Sequence, residues 1–201
     1  MDKLSYALGL SIGQNLLNSG VEELSFDDFL SGVKVSFSDA EPEISAEQGN
    51  QILKTFFDKV NRKKEEATKK ERQENLKKAD EYLKENASRD LTRVTKTGLQ
   101  YKVITEGNGQ SPSAHSRVRV HYEGRLTDGT VFDSSYKRGT PTEFGLGQVI
   151  PGWTEGLQLM KEGSTYEFTI PPALGYGEVG VPGHIPGNSV LIFKVELIKV
   201  L

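Results

Sequence analysis

The stretch VRVHYEGRLTDGTVFDSS, residues 118–135, decides the fold class. Val118, Val120 and Tyr122 alternate with polar residues, the period of 2 that lays one face of a strand on a core. Asp128-Gly129 is a hairpin signal, because both residues tolerate the positive φ of a tight turn between antiparallel strands. The returning strand then presents Phe132 and Asp133 side by side. Working outward, the same alternation recurs at Leu99, Tyr101 and Val103 and at Tyr166, Phe168 and Ile170, and residues 189–201 (SVLIFKVELIKVL) read as a long last strand. Between two of these strands, PGWTEGLQLMKEG (151–163) has Pro151 early, Trp153, Leu157 and Met160 on one face and Gly163 as a stop, which predicts one short helix. An antiparallel sheet covered by a single helix is an α+β domain of about 110 residues.

Upstream of this domain the period is 3.6. Residues 3–18 place Leu4, Ala7, Leu8, Ile12 and Leu16 at three- and four-residue spacing, with Gly20 where a helix would stop. Gly9 and Gly13, one turn apart, leave a stripe without side chains where another helix backbone could approach. Ser25 is placed to cap a second helix with an apolar face of Phe26, Phe29, Leu30, Val33 and Phe37. Two such short helices cannot close a core alone and need a partner. Ser45 opens the third and longest helical candidate, with Gln48 at the capping-box position. Ile52, Leu53, Phe56, Phe57 and Val60 form its early stripe, whereas NRKKEEATKKERQEN (61–75) holds Ala67 as its one apolar residue. A helix polar all round bridges through solvent or is held by side-chain pairs. Asp58/Arg62, Glu65/Lys69, Glu66/Lys70 and Glu74/Lys78 have the acid-first i,i+4 order, worth roughly 0.2–0.5 kcal/mol each. Running from about residue 46 to 87, it would be a rigid spacer of about 60 Å; the alternative is a flexible charged linker.

Composition removes several classes of function. With no cysteine, no disulfide, Cys-ligated zinc or thiol nucleophile is available. A net charge of −3 makes no electrostatic case for nucleic acid. Residues 1–50 hold nine acids and two bases while 59–78 hold nine bases and four acids, a docking surface or simply solvated helix faces. The early residues Asp2, Lys3, Asn15 and Asn18 interrupt any leader-like apolar run, and no later run has the roughly 18 apolar residues of a membrane span. As it stands the chain reads as soluble and cytoplasmic, or as periplasmic or surface-associated if a leader was removed. His115, His121 and His184 lack metal-ligand spacing with a carboxylate. GLGQVIPG is not followed by the Lys-Ser/Thr of a phosphate loop. Ser134 and Ser135, with no histidine identifiable as a base, read as turn or cap residues. No metal or other cofactor is called for.

Tyr122, Phe132, Val149, Ile150, Trp153, Tyr176 and Phe193 read either as core or as the lining of a pocket. Three features favour a pocket: Asp133 beside Phe132 at a strand end, Trp153 at the start of its helix, and the Gly/Pro-rich loop LGYGEVGVPGHIPGNS carrying Tyr176. A large apolar pocket with few polar groups suits an uncharged, hydrophobic ligand.

Four segments, VHYEGRLTDGTVFDSS, VIPGWTEGLQLM, FTIPPALGYG and LIFKVELIKV, resemble the successive motifs of the FKBP-type peptidyl-prolyl cis-trans isomerases, over about residues 95–201. SYALGLSIGQNL, the long charged helix and the C-terminal isomerase further resemble the bacterial macrophage infectivity potentiator subgroup. That resemblance implies a helical dimerisation domain at 1–44, a long, solvent-exposed connecting helix at 45–87 whose first turns pack on it, and an isomerase domain at 88–201. It implies a V-shaped homodimer formed through residues 1–60, which supplies the missing partner. Carried over by position, the catalytic residues are Asp133, Tyr176, Phe132 and Trp153, and Tyr122, Val149, Ile150, Phe193 and Ile185 bind substrate or macrolides of the tacrolimus and rapamycin type. Trp153 would be the floor under a proline ring, and the Ile150 N–H and Tyr176 hydroxyl would donate to ligand carbonyls. Asp133 is expected to orient Tyr176 or the substrate dipole rather than act as a base. Thr142 stands where many members have an aromatic wall residue, and Val181 where a histidine is found in the eukaryotic prototype. The implied activity is isomerisation of X-Pro bonds in polypeptides together with chaperoning; a non-catalytic chaperone or ligand-binding module is the alternative.

Overall fold

The computed structural model describes all 201 residues, and their contacts divide into two compact units, Met1–Ala67 and Thr68–Leu201. The division falls within a long helix. No helix is long and apolar enough to cross a membrane.

The first unit holds α1 (Lys3–Asn18), α2 (Phe26–Ser36) and the first part of α3 (Ala46–Ala87). Their ends form as the sequence predicts. Ser25 accepts the Asp28 amide, and Ser45 and Gln48 make the reciprocal capping-box bonds at 3.2 and 2.9 Å. Gly20, at φ +89°, follows α1 and lies against Val60 so closely that a Cβ would come within 2.7 Å of it. Neither α1 nor α2 contains a buried residue. Leu4, Leu8, Ile12, Phe26, Leu30, Ile52 and Leu53 are all exposed, an apolar surface that nothing in the single chain covers. Gly9 and Gly13 have no neighbour near the Cβ position.

In the second unit, β1 (Arg93–Val94), β2 (Gln100–Thr105), β3 (Arg117–Arg125) and β4 (Val131–Ser134) lead to the single turn α4 (Ser135–Arg138). There follow β5 (Thr142–Gly145), α5 (Pro151–Gln158), β6 (Thr165–Ile170) and β7 (Leu191–Val200). The strands make one antiparallel sheet in the order β1-β2-β6-β7-β3-β4, with β5 also on β3. β7 is central, pairing with β3 from Val118↔Val200 to Arg125↔Ile192 and with β6 from Thr165↔Glu196 to Ile170↔Leu191. The Asp128-Gly129 hairpin forms, closed by the Leu126 amide on the Thr130 carbonyl at 2.9 Å, with Gly129 at φ +89°.

α5 lies on the inner face of the sheet, backbone first. A Cβ on Gly152 would come within 2.6 Å of Ile170, and one on Gly156 within 2.7 Å of Phe168. Within the single chain these two glycines admit a close backbone approach, while the Gly9 and Gly13 stripe meets nothing in the same chain. α5 ends at Gln158 rather than running to Gly163; Met160 is fully buried just beyond it.

The long helix departs from its sequence reading in two respects. None of the four predicted i,i+4 pairs closes, and the pair that does is Glu85–Arg89 at 2.8 Å; exposed pairs gain too little to hold two long side chains in place. Residues 61–71 are exposed throughout, but Arg72, Asn75, Ala79, Leu83 and Asn86, three or four residues apart, are covered to different degrees and face the sheet domain. Asn86 Nδ2 donates to Gln100 Oε1 at 2.8 Å, and Gln100 Nε2 to the Leu83 carbonyl at 2.8 Å. The hydrogen bonds of this stripe are made by carboxamides and its apolar members are Ala79 and Leu83 alone, so a search for apolar periodicity passes over it.

Candidate active site

A cavity of about 330 Å³ opens between the inner face of the sheet and the start of α5. Its floor is Trp153, in the first turn of α5, where Pro151 at the helix start presets the backbone. The indole is 4% exposed and meets Tyr122, Phe144 and Phe193 edge-on, with ring centroids 5.2, 5.4 and 5.2 Å away. Its buried N–H finds no acceptor within the chain. Gly124 on β3 makes room for the wall: a Cβ would sit 2.6 Å from Phe193 and 2.7 Å from Phe132. Those two rings then meet edge-on at 5.5 Å.

Eight of the residues assigned from sequence line this one cavity: Tyr122, Phe132, Asp133, Val149, Ile150, Trp153, Tyr176 and Phe193. Ile185 does not. It is 6% exposed, bridges Val181 through backbone bonds of 2.8 Å in both directions, and faces a separate cleft beside α3. Its side chain joins the buried core that also holds Trp153 and Phe193. Phe144 and Gln148 also line the cavity. Thr142 leaves no gap in the wall, because Phe144, two residues on and on the same face of β5, supplies the ring. The motif segments do not include β5, so sequence reasoning passed over it; the alternation of Thr142 and Phe144 was the available signal.

The polar edge of the cavity is a closed triangle. Tyr122 Oη donates to Asp133 Oδ2 at 2.5 Å, Arg138 Nη1 donates to Asp133 Oδ1, and Arg138 Nη2 donates to Tyr122 Oη at 2.9 Å. Burial pushes the Asp133 carboxyl up, but the Tyr122 hydroxyl and the Arg138 guanidinium together outweigh it and hold the group below its ordinary 3.8. Asp133 thus orients Tyr122, not Tyr176, and with both oxygens engaged it is poorly placed to take a proton. Arg138 reaches it through the turn α4, which Ser134 caps by accepting the Lys137 amide. Ser134 fills the cap role expected, whereas Ser135 Oγ accepts the Tyr122 amide on β3 at 2.8 Å and lies 2.9 Å from His121 Nδ1, a histidine that sequence spacing gave no reason to pair with it.

Tyr176 stands on the opposite rim, 40% exposed, after a short 3-10 turn at Pro172–Leu174. Its hydroxyl makes no bond within the chain; burial first, and then the Asp133 charge, push its pKa up. It remains a proton donor at neutral pH. The Ile150 amide, just ahead of α5, likewise makes no hydrogen bond within the chain. Two free donors over an aromatic floor, with the one carboxylate of the lining already neutralised, make a receptor for an uncharged group flanked by carbonyls.

A half-wrapped antiparallel sheet with an aromatic-floored cavity defines a class of ligand-binding domain with an apolar pocket. Comparison with known proteins narrows the class. Residues 108–198 match the family of FKBP-type peptidyl-prolyl cis-trans isomerases, and residues 1–103 match the domain amino-terminal to such isomerases. The chain is 41% identical to the Escherichia coli FKBP-type 22 kDa peptidyl-prolyl cis-trans isomerase, across 98% of this chain and 94% of that protein. It is 42% identical to the outer membrane protein MIP of Legionella longbeachae, across 99% and 85%. The crystal structure of FkpA from Escherichia coli superposes with a TM-score of 0.78 at 40% identity, covering 98% of this chain and 95% of that one. The chain belongs to the FKBP-type peptidyl-prolyl cis-trans isomerase family, with the two-domain organisation of its FkpA and Mip-type members, and is an enzyme.

Proposed function

We propose that the cavity receives the proline ring of an X-Pro segment on Trp153, between Phe132, Phe193 and Val149, and catalyses rotation of the bond without covalent chemistry. The observation carrying this is the Trp153 floor enclosed by three edge-on rings beside an already paired carboxylate. The Ile150 N–H and the Tyr176 hydroxyl donate to carbonyls of the bound segment. Asp133, Tyr122 and Arg138 form a fixed dipole at the edge. The X-Pro bond resists rotation because of its partial double-bond character, with a barrier of about 18–20 kcal/mol and uncatalysed times of tens to hundreds of seconds. Removing water from the imide oxygen withdraws hydrogen bonds that favour the planar form, and walls complementary to the twisted form supply the remainder. Acceleration by about four decades asks for roughly 5–6 kcal/mol, within the reach of shape-selective binding.

In this reading residues 1–44 form a dimerisation domain, 45–87 the connecting helix and 88–201 the isomerase domain. The homodimer, joined through residues 1–60, also holds unfolding polypeptides as a chaperone, and macrolides of the tacrolimus and rapamycin type compete for the cavity. The exposed apolar faces of α1 and α2 support the dimer.

A protease-coupled assay on a Phe-Pro peptide at micromolar protein is expected to show acceleration that a stoichiometric macrolide abolishes; isomerisation indifferent to the macrolide would place catalysis outside this cavity. Because no proton is transferred, kcat/KM is expected to be flat from about pH 5 to 9, between the carboxylate and phenol ranges. A bell-shaped profile would restore a general base. In acid the sign follows from Asp133, whose folded-state pKa lies below its unfolded value. Its contribution to stability is complete above the ordinary value of 3.8 and is lost as pH falls through the lower folded value.

A further inference from the structure

Residues 187 and 188 of the Gly/Pro-rich loop are tied to one turn of α3. Asn75 Nδ2 donates to the Gly187 carbonyl at 3.0 Å, and Asn188 Nδ2 donates to the Arg72 carbonyl at 3.0 Å. The two carboxamides reach in opposite directions across more than a hundred residues of sequence. Gly187 is pressed into the junction: a Cβ there would meet the Glu178 carbonyl oxygen at 2.0 Å and Arg72 Cγ at 3.2 Å. Asn188 adopts φ +57°, a left-handed conformation uncommon outside glycine and best tolerated by asparagine. Its own amide donates to the Gly177 carbonyl at 2.9 Å, and the Gly180 amide donates to the Tyr176 carbonyl at 3.1 Å. A continuous line of hydrogen bonds therefore runs from α3 through Asn188 to Gly177, the residue beside Tyr176.

The same helix is pinned to the sheet three to four turns further on, by Gln100 on the Leu83 carbonyl and by Asn86 on Gln100 and Thr169. Gln100 and Thr169 pair across β2 and β6, and β6 carries the Phe168 and Ile170 side chains on which α5 rests. One end of the segment 72–86 thus holds the rim carrying Tyr176, and the other holds the layer that supports Trp153. We propose that this segment of α3 is a splint that sets the distance between the Tyr176 wall and the Trp153 floor, with Asn75 and Asn188 as positioning residues for isomerisation. The segment is then a working part of the isomerase domain rather than linker alone. The effect on activity rests on Tyr176 being a wall of the prolyl site.

Asn75→Asp and Asn188→Asp in the full-length chain each remove the donor while nearly conserving shape, and Asn188→Gly removes it while keeping the backbone conformation open should the aspartate variant misfold. In folded variants well below Tm, exchange of the Gly180 and Asn188 amides is expected to rise by about tenfold, with β3 and β7 amides unchanged. kcat/KM for a Phe-Pro peptide is expected to fall by about three- to tenfold, as displacement of a remote wall does. A merely structural contact would lower Tm and leave both readouts alone; parental exchange at residues 176–189 with kcat/KM within about twofold overturns the splint. A Tyr176→Ala arm separates the layers. Full activity in Tyr176→Ala overturns the reading of the wall, whereas its loss beside fully active, folded asparagine variants overturns the splint alone.

Discussion

Replacing Trp153 by alanine is expected to lower kcat/KM for a Phe-Pro peptide by about a hundredfold, roughly 2.7 kcal/mol of transition-state binding. The indole is both the surface on which the ring rests and the body against which Tyr122, Phe144 and Phe193 are ordered, so its loss removes the floor and loosens three walls. Truncating a buried aromatic side chain also costs about 3–5 kcal/mol of stability. Activity must therefore be measured on folded protein, and Trp153→Leu, which keeps apolar volume, serves as the second variant. A folded Trp153→Leu protein within about threefold of parental kcat/KM would remove Trp153 from the mechanism. In an aggregation-suppression assay the same variants are expected to behave like the parent if the N-terminal helices do the holding. Loss of both activities together would place chaperoning in the cavity.

The second large effect concerns α1. Light scattering on the parent at micromolar concentration is expected to return twice the 22.2 kDa chain mass, and Leu8→Glu combined with Ile12→Glu is expected to return the single mass. Leu8 and Ile12, one turn apart, are 54% and 44% exposed, and Phe26 on α2 is 73% exposed. Burying a Leu, Ile or Phe side chain is worth about 1.5–3 kcal/mol, so the seven exposed on α1, α2 and early α3 of each protomer, fourteen in a dimer, are enough to offset the roughly 4–15 kcal/mol cost of association even when buried only in part. Two glutamates in that surface would each have to be desolvated without a partner. A parent protein of single-chain mass, with α1 and α2 still helical, would end the dimer reading.

How much of this was legible in the sequence depended on how local each signal is. Period, caps and turns are written within a few residues. Hence the change from helix to sheet near residue 95, the Ser45–Gln48 box, the Asp128-Gly129 hairpin and the limits of α3 all appear where the pattern puts them. The α+β arrangement followed from them. Eight of the assigned site residues sit on motif segments at β3, β4, the start of α5, the loop after β6, and β7, and these eight come together. What escaped depended on approach in space. Phe144 reaches the cavity because β5 folds back onto β3, and Arg138 closes the polar triangle because a four-residue turn swings it over Tyr122. Ile185 lies outside the cavity lining, and a loop rich in glycine and proline has no period to say which way a side chain points. The stripe Arg72, Asn75, Ala79, Leu83 and Asn86 escaped for a different reason. Its contacts are made mainly by carboxamides, and hydropathy cannot tell a buried, satisfied asparagine from a solvated one.

The central place of β7 bears on how this isomerase itself folds. Every pairing between β3 and β7 joins residues more than sixty positions apart, and the strand that completes the middle of the sheet is synthesised after all the others. Until it emerges, β3 and β6 each present a row of unsatisfied amides and carbonyls, the template on which nascent chains aggregate. Closing so long a loop before any reward is gained makes the step slow. During its own synthesis the isomerase passes through a period in which it resembles the clients it is proposed to serve.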